Sequence, residues 1–263
     1  MKTVLITGAS SGIGESFVNK LAARKHDLLL VARNTEKLEK QCEQLTAEFG
    51  IQAQFIAADL AKRETAEKVF AETQKRELEI DMLINNAGIG SGGAFTDLPL
   101  ESELDLLQLN ISSLVALTRL FLPQMQRRKS GTIVNVSSIA DFTPIPYMAT
   151  YAASKMFVRS FTEAVAEECK PHNIHVMLLV PGLTRTNFNH ASGLDGVRAS
   201  AEYDGSTQTA DQVVSETLKA LDKRKRSIVS GGRNRLAAKI SALIPNSLIT
   251  KIYASIFLKK SKI

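Results

Sequence analysis

The sequence predicts an α/β fold in which a parallel, doubly wound sheet is flanked by helices. Short β-rich apolar runs alternate with helix-spaced apolar patterns, as parallel strands joined by right-handed helical crossovers require. The run Asp27–Ala32 is rich in leucine, which is typical of a strand buried on both faces. A glycine-rich turn joins the first predicted strand to the first predicted helix. A chain of 263 residues suits one large domain of this kind.

Seven runs predict strands, because each is short and dominated by apolar residues. They are Thr3–Thr7, Asp27–Ala32, Gln52–Ala57, Met82–Asn85, Gly131–Ser137, His175–Val180 and Ser227–Val229. Apolar residues at helical spacing predict the helices between them. The first of these helices follows the glycine turn that ends at Gly14. The others cover Leu38–Phe49, Thr65–Arg76, Leu104–Met125, Tyr151–Glu168 and Val213–Leu221. Residues 183–209 lack such spacing and predict a functional lid, because a loop this long is uncommon as a plain connection.

The composition is that of an ordinary globular protein, with 44% hydrophobic and 23% charged residues. The two cysteines, Cys42 and Cys169, lie far apart in the sequence and have neither metal-ligand nor redox spacing. They therefore favour a reducing compartment without a disulfide framework or metal site. The N-terminus runs directly into a strand pattern, so we expect no signal peptide. No apolar run is expected to reach transmembrane length, and we therefore expect a cytoplasmic protein. We also expect no nucleic-acid partner.

The turn from Gly8 to Gly14 has the chemistry of a phosphate site. Glycine permits positive φ and close approach of a phosphate, and a helix N-terminus offers unpaired N–H groups to a pyrophosphate. A tight turn needed only for packing is the alternative. The contacts expected here are Gly8, Ser10, Ser11, Gly12, Ile13 and Gly14.

The second predicted strand ends at Arg33 and Asn34, where a dinucleotide would place its adenosine ribose. A basic residue there accommodates a 2′-phosphate, whereas an acid would bind the 2′-hydroxyl, so Arg33 favours NADP over NAD. An exposed arginine at a helix start is the alternative. After the third strand, Asp59 and Leu60 could meet the adenine, or Asp59 could cap the next helix. Asn86, Ala87 and Gly88 follow the fourth strand and fit the edge of the same crevice.

Ser138, Tyr151 and Lys155 form a candidate proton-transfer set. Tyr151 and Lys155 stand at i and i+4 and share one helix face, and Ser138 follows a strand end. An adjacent ammonium favours the phenolate, and a tuned phenol can exchange a proton with an alcohol or carbonyl oxygen that a serine hydroxyl holds. A Tyr-x-x-x-Lys pair also occurs by chance on many helix surfaces.

Taken together, the motifs resemble the short-chain dehydrogenase/reductase family, in its short single-domain branch. The resemblance rests on Thr7–Gly14, Asn85–Gly88, Asn110, Ser138, Tyr151–Lys155 and Pro181–Thr186, which occur in the family's order. It implies a Rossmann-type fold over residues 1–230, including the substrate loop 183–209. It also implies binding of NAD(P) and assembly into a homodimer or homotetramer.

The resemblance also implies individual roles. Tyr151 would be the acid/base, Lys155 would lower its pKa and hold the nicotinamide ribose, and Ser138 would fix the carbonyl oxygen. Asn110 would support a water in a proton relay. The nicotinamide end would be lined by Pro181, Gly182, Thr184 and Thr186. Asp141 departs from the pattern, because many relatives carry glycine there, and we therefore expect an altered loop beside the substrate.

The function expected from these features is an NADP-dependent oxidoreductase that interconverts a secondary alcohol and a ketone or aldehyde. Tyr147 is expected to form a wall of the substrate pocket, and Phe188, Leu194 and Tyr203 in the lid suggest a small-molecule substrate with apolar surface. The alternative is a catalytically silent cofactor-binding regulator or scaffold, against which the intact Ser138, Tyr151 and Lys155 argue.

Residues 231–263 form a basic amphipathic extension. From Lys223 to Ile263 the chain holds 11 of its 33 Lys and Arg and none of its 27 Asp and Glu. Two apolar stripes at helical spacing, Leu236–Ile244 and Leu248–Phe257, are separated at Pro245. This composition suits peripheral contact with a membrane surface. Packing on the domain or on a partner subunit, or binding to an acidic carrier protein, are the alternatives.

Overall fold

The computed structural model of the protein describes residues 3–186, 188, 207–241 and 243–260, with only the backbone at 256–260. Of the predicted lid it describes 183–186, 188 and 207–209. Leu194 and Tyr203, which we expected near the substrate, lie outside the described residues.

Seven parallel strands form the central sheet, in the order β3-β2-β1-β4-β5-β6-β9. They are β1 (Thr3–Thr7), β2 (Asp27–Ala32), β3 (Ala53–Ala57), β4 (Ile80–Asn85), β5 (Gly131–Val136), β6 (Ile174–Val180) and β9 (Ser227–Val229). The predicted doubly wound sheet is confirmed. The strand order reverses between β1 and β4, and such a switch point opens a crevice at the carboxyl ends of the strands. A separate parallel pair joins β7 (Thr184–Arg185) to β8 (Gln208–Thr209).

Helices cover both faces of this sheet. They are α1 (Gly12–Ala23), α2 (Thr35–Phe49), α3 (Thr65–Lys75), α4 (Leu100–Leu107), α5 (Ser113–Arg128), α6 (Ala149–Cys169), α7 (Ala210–Asp222), α8 (Gly232–Ser241) and α9 (Asn246–Lys260). Successive side chains of β1 lie on opposite faces of the sheet, so Val4 and Ile6 pack in one apolar cluster and Leu5 packs in the other. Phe17 of α1 fills the first cluster and Phe121 of α5 the second, and both are almost fully buried. One sheet therefore carries two apolar layers, as a single domain.

The predicted helix Leu104–Met125 differs from the structure in length and continuity. Helical structure runs from Leu100 to Arg128 and is interrupted by a π turn at Gln108–Ser112. The expectation that no apolar run reaches membrane-spanning length is wrong for Leu100–Arg128, by length and composition alone. In the structure its apolar side chains, among them Leu117 and Phe121, pack on the sheet, which accounts for their composition.

Candidate active site

A cleft of about 340 Å³ opens at the carboxyl ends of the central strands. Of the residues predicted from sequence, it is lined by Gly8, Ser11, Gly12, Ile13, Arg33, Asn86, Ala87, Gly88, Ser138, Tyr151, Lys155, Pro181, Gly182, Thr184, Thr186 and Phe188. It is also lined by Ile89, Val136, Ser137, Ile139 and Leu183, which sequence reasoning missed. Four of these five adjoin a predicted site residue in the chain, and Val136 lies two positions before Ser138, so closeness in sequence is the signal that could have identified them.

The glycine turn between β1 and α1 leaves its own backbone accessible to a ligand in the cleft. Gly8 and Gly12 have φ of +66° and +57°, a conformation that L side chains rarely adopt. A Cβ on Gly14 would lie 2.1 Å from the carbonyl oxygen of Gly8, so only glycine fits this approach of α1 to β1. Ser11 precedes α1 without a side-chain capping bond, which leaves the first-turn N–H groups without a side-chain acceptor from that cap. These residues fit the pyrophosphate of a dinucleotide.

Thr7 joins the glycine turn to the end of β4. Its hydroxyl oxygen accepts from the N–H groups of Asn86 and Ala87, at 3.0 Å each. The Asn86 amide nitrogen in turn donates to the carbonyl oxygen of Thr7 at 2.9 Å. Asn86 therefore ties the two strand ends that border the switch point, and Thr7 is a positioning residue that the sequence reasoning missed.

Ser138, Tyr151 and Lys155 all line the cleft, as predicted. Ser138 follows β5 in extended backbone, and its hydroxyl oxygen accepts from the N–H of Ala140 at 3.2 Å. The Lys155 ammonium donates to the carbonyl oxygen of Val136 at 3.1 Å and lies 5.9 Å from the centroid of the Tyr151 ring. The strand end and the first turns of α6 therefore bring a hydroxyl, a phenol and an ammonium to one wall of the cleft.

Lys155 is buried, with 5% of its surface exposed. Burial lowers the pKa of its ammonium from 10.5 to about 8, and the negative charge of Asp141 opposes that shift. At neutral pH the side chain is still mostly protonated. It therefore supplies a positive charge beside the Tyr151 ring.

Asn110 lies in the π turn behind these residues and is 1% exposed. Its Oδ1 accepts from the N–H of Ile89 at 3.0 Å, and its Nδ2 donates to Ile89 O at 2.9 Å and to Ser154 Oγ at 3.1 Å. The side chain thus braces the loop after β4 against α6. Both amide hydrogens are used within the protein, and the water relay implied by the family resemblance stays a prediction.

Seven predicted site residues are absent from the cleft lining: Ser10, Gly14, Asn34, Asp59, Leu60, Asn110 and Tyr147. Asn34 caps α2 by accepting from the N–H of Lys37 at 2.9 Å, and Asp59 accepts from the N–H of Ala61 at 3.1 Å in the turn before α3. Leu60 is buried in an apolar cluster. Capping is thus observed for Asn34 and a turn bond for Asp59, and their cofactor contacts stay predictions.

The side of the cleft around Tyr151 is apolar. A cluster of Leu106, Ala140, Met148 and Tyr151 packs with Ile89, Ile145 and Phe188. The rings of Tyr151 and Phe188 lie 5.8 Å apart and are tilted by 51°. Tyr147 adopts φ of +65° nearby, and its carbonyl oxygen accepts from the N–H of Gly93 at 2.9 Å. Its role as a pocket wall stays a prediction.

Comparison with known proteins agrees with this geometry. The family model for short chain dehydrogenases matches residues 2–195. Dehydrogenase/reductase SDR family member 7B of Bos taurus is 32% identical over 98% of this chain and 82% of that protein. The very-long-chain 3-oxoacyl-CoA reductase of Anas platyrhynchos is 35% identical over 72% of this chain, which spans 61% of that reductase.

Among solved structures, a short-chain dehydrogenase from Sphingobium yanoikuyae in complex with NADPH is similar, with a TM-score of 0.81. It is 32% identical, and the match covers 87% of each chain. The family model spans well over half of this sequence, and the fold is similar to that of the Sphingobium structure. The chain therefore belongs to the short-chain dehydrogenase/reductase family of NAD(P)-dependent oxidoreductases.

Proposed function

We propose that this protein is an NADP-dependent oxidoreductase that interconverts a secondary alcohol and a ketone or aldehyde, with Ser138, Tyr151 and Lys155 as its catalytic residues. One observation carries the proposal: these three side chains and the glycine turn between β1 and α1 line the same cleft. A proton-transfer set and a pyrophosphate cradle in one cavity are what a nicotinamide-dependent reaction at a carbonyl carbon requires.

The cofactor half of the cleft would be held by backbone and by one cation. The N–H groups at the start of α1 would hold the pyrophosphate, and Gly8 and Gly12 would allow its close approach. Arg33 is exposed at the rim of the cleft, where a guanidinium suits a 2′-phosphate. When bound, the nicotinamide supplies or takes the hydride. The NADPH complex of the Sphingobium relative supports this cofactor preference.

The catalytic residues handle the proton and the substrate oxygen. In the reduction direction, the Tyr151 hydroxyl donates its proton to the carbonyl oxygen, and in oxidation the phenolate takes the proton from the alcohol. The Ser138 hydroxyl donates a hydrogen bond to the same oxygen. The buried Lys155 ammonium, 5.9 Å from the centroid of the Tyr151 ring, favours the phenolate by its charge. Thr186, in van der Waals range of Gly12, would border the nicotinamide end.

The apolar wall around Tyr151 supports a substrate with a large apolar part next to the reacting carbonyl. Of this cluster, Ile89, Tyr151 and Phe188 line the cleft itself, and Ile89 and Phe188 offer it hydrocarbon surface without side-chain hydrogen-bonding groups. The similarity to very-long-chain 3-oxoacyl-CoA reductases supports the same chemistry. We therefore propose ketones carrying an acyl chain or a comparably bulky apolar group as the substrate class.

Turnover measurements test this function. The purified protein is given NADPH and a panel of ketones and aldehydes of increasing apolar size, with NADPH oxidation followed by its absorbance. We expect turnover that rises with apolar size and is lost in Tyr151→Phe. NADPH binding without turnover on any member of the panel would favour the regulator alternative, and retained turnover in Tyr151→Phe would overturn the role of the phenol.

The C-terminal helices support a peripheral membrane contact. The tail's apolar side chains are exposed at Leu236 (61%), Ile240 (50%), Leu243 (84%), Leu248 (52%) and Ile252 (45%). The whole segment after Asp222 contains basic but no acidic residues. Exposed apolar surface with exclusively positive charge is complementary to an anionic lipid surface.

Contacts at the base of α8 anchor this surface beside the cleft. A Cβ on Gly182, which lines the cleft, would lie 2.0 Å from Asn234 Nδ2, and Asn234 donates to Ser230 O at 2.7 Å. Arg235 binds Glu216 of α7 at 3.1 Å. An apolar substrate could then pass from the bilayer to the cleft over a short distance.

Sedimentation with vesicles tests the membrane contact. We expect the full chain to bind anionic vesicles, to bind neutral ones more weakly, and to lose binding on truncation after residue 230 or at raised salt. Lys239→Glu with Lys251→Glu should weaken binding in the intact chain. Absence of binding to anionic vesicles at low salt would eliminate this contact. Loss of the proposed dimer or tetramer on truncation, measured by light scattering, would assign the tail to a subunit interface.

A further inference from the structure

Asp141 is a buried carboxylate three residues beyond Ser138, in the short 3₁₀ turn that follows β5. Its side chain has no solvent exposure. Oδ1 accepts from Arg159 Nη2 at 2.7 Å, and Oδ2 accepts from the Ser137 hydroxyl at 2.7 Å. Burial raises the pKa of this carboxyl, and the bonds from Arg159 and Ser137 oppose that shift. A carboxylate is thus held in the interior by one cation and one hydroxyl.

Arg159 lies on α6, one helical turn beyond Lys155. Its guanidinium stacks over the Phe142 ring, with 4.1 Å between its central carbon and the ring centroid. Its Nη1 also donates to Glu163 on the next turn at 3.2 Å. Because Arg159 is held by partners in both the loop and the helix, its position relative to Asp141 is defined on several sides.

The Asp141–Arg159 pair connects the loop that carries Ser138 to the helix that carries Tyr151 and Lys155. The Ser137 hydroxyl, which donates to Asp141, also lies 3.1 Å from the backbone carbonyl oxygen of Lys155. The Lys155 ammonium bonds Val136, at the end of the same strand. Ser138 is therefore flanked on both sides by contacts that reach α6.

The same pair also acts on Lys155 through charge. The charged side chains that act on Asp141 are Arg159 and Lys155, and the charge that supports the Lys155 ammonium is that of Asp141. The Tyr151 phenol is a further titratable group beside the ammonium. Removing the carboxylate leaves the buried ammonium with desolvation but without its supporting negative charge.

We propose that Asp141 and Arg159 form a positioning pair, which fixes Ser138 relative to Tyr151 and holds the Lys155 ammonium in its protonated form. Neither residue lines the cleft, so both act through the catalytic side chains. The proposal rests on the proposed function only for its kinetic consequence. Its geometric and electrostatic claims concern Lys155 in the protein without cofactor or substrate.

The first experiment is a direct titration that needs no turnover. The lysine side chains are labelled with ¹³C at Cε, the Lys155 signal is assigned by its loss in Lys155→Met, and its midpoint is followed by NMR. We expect Asp141→Asn to move this midpoint to lower pH by about one unit. Asp222→Asn breaks the exposed Arg24–Asp222 pair, at 2.8 Å, and is the matched control that should leave the midpoint unchanged.

The second experiment measures the pH dependence of kcat/KM for ketone reduction. In Asp141→Asn, the alkaline limb should move in the same direction as the Lys155 midpoint, and kcat should fall about tenfold or more from misplacement of Ser138. Arg159→Lys keeps the positive charge but loses the planar fork. It should therefore keep the alkaline limb of the pH profile at its wild-type position while lowering kcat.

Asp141→Asn leaves the half-buried Arg159 without the carboxylate charge of Asp141 and could fail to fold. Asp141→Asn combined with Arg159→Gln removes both charges, and circular dichroism establishes its fold. A folded variant without the carboxylate whose Lys155 midpoint equals that of wild type overturns the electrostatic part, and unchanged kcat overturns the positioning part. If the wild type itself turns over no ketone, the proposed function fails while the NMR result still decides the pair's effect on Lys155.

Discussion

Asn110 closes a two-point hydrogen bond on the backbone of Ile89, with Oδ1 accepting at 3.0 Å and Nδ2 donating at 2.9 Å. The side chain stands in for a neighbouring strand, because it pairs with both backbone groups of one residue. The π turn makes this possible by placing the buried Asn110 side chain against the loop after β4. The loop that carries Gly88 and Ile89 along the cleft is thereby fixed.

Removing that amide should destabilise the protein and its site together. In Asn110→Ala, the backbone groups of Ile89 lose their partners in a buried setting, and the free energy of unfolding should fall by about 1–3 kcal/mol. Urea unfolding measures this change. Asn246→Ala, at the exposed start of α9, is the control and should change stability little. Wild-type stability in Asn110→Ala would contradict a structural role for the amide.

Tyr151→Phe should abolish the reaction while preserving the fold. The ring would keep its contact with Phe188, and only the hydroxyl is removed. We expect turnover to fall by roughly 10²–10⁴-fold, the usual contribution of a general acid or base, with NADPH affinity little changed. Steady-state kinetics and fluorescence titration measure the two quantities. Tyr253→Phe on α9 is the matched control, and equal losses in both variants would refute a specific role for Tyr151.

Arg33→Ala should reduce discrimination between the two cofactors. The lost charged hydrogen bond to a 2′-phosphate is worth roughly 1.5–3 kcal/mol. NADPH binding should therefore weaken by that amount while NADH binding stays nearly constant, as calorimetric titration of both would establish. Arg127→Ala removes an exposed arginine at the end of α5 and serves as the control. Equal affinity of the wild type for NADPH and NADH would dismiss Arg33 as the selector.

The buried Lys155 should make the free energy of unfolding depend on pH. Burial lowers its pKa from 10.5 to about 8, so between those values the unfolded chain binds more protons than the native one. Stability should therefore rise with pH across that window. Between pH ~7 and ~9.5 the wild type should gain about 2 kcal/mol relative to Lys155→Met. Urea unfolding at both pH values measures it. Lys223→Met, at an exposed lysine, should follow the wild type.

The strands and the meeting of Ser138, Tyr151 and Lys155 in one cleft were predictable because their signals are local. A strand buried on both faces needs a continuous apolar run, and β2 has one. Tyr151 and Lys155 share one helix turn, and Ser138 immediately follows a strand, so spacing alone places them. The fold class and the family follow from such short-range patterns.

Other features depend on contacts that no local pattern reveals. The π turn at Asn110 was not predicted, because the apolar residues around it have the spacing of one continuous helix. Asp141 meets Arg159 because the loop after β5 folds back over α6, which spacing does not indicate. Asp59 was ambiguous for a different reason, since the residue types that cap helices and turns are also those that bind ligands. Asn34 was predicted only as a cofactor contact, and its observed bond caps α2.

The parallel pair of β7 and β8 has a consequence for how this protein can diverge. Thr184 pairs with Gln208 and Arg185 with Thr209, so the two ends of the predicted substrate loop are joined to each other. Glu216 secures the returning end by accepting from Gln208 Nε2 at 3.0 Å. Since loop closure costs little more for a longer segment, the stretch between these anchors can be exchanged or lengthened without moving Pro181 or α7. We therefore expect changes in this loop to alter the proposed substrate range independently of Ser138, Tyr151 and Lys155.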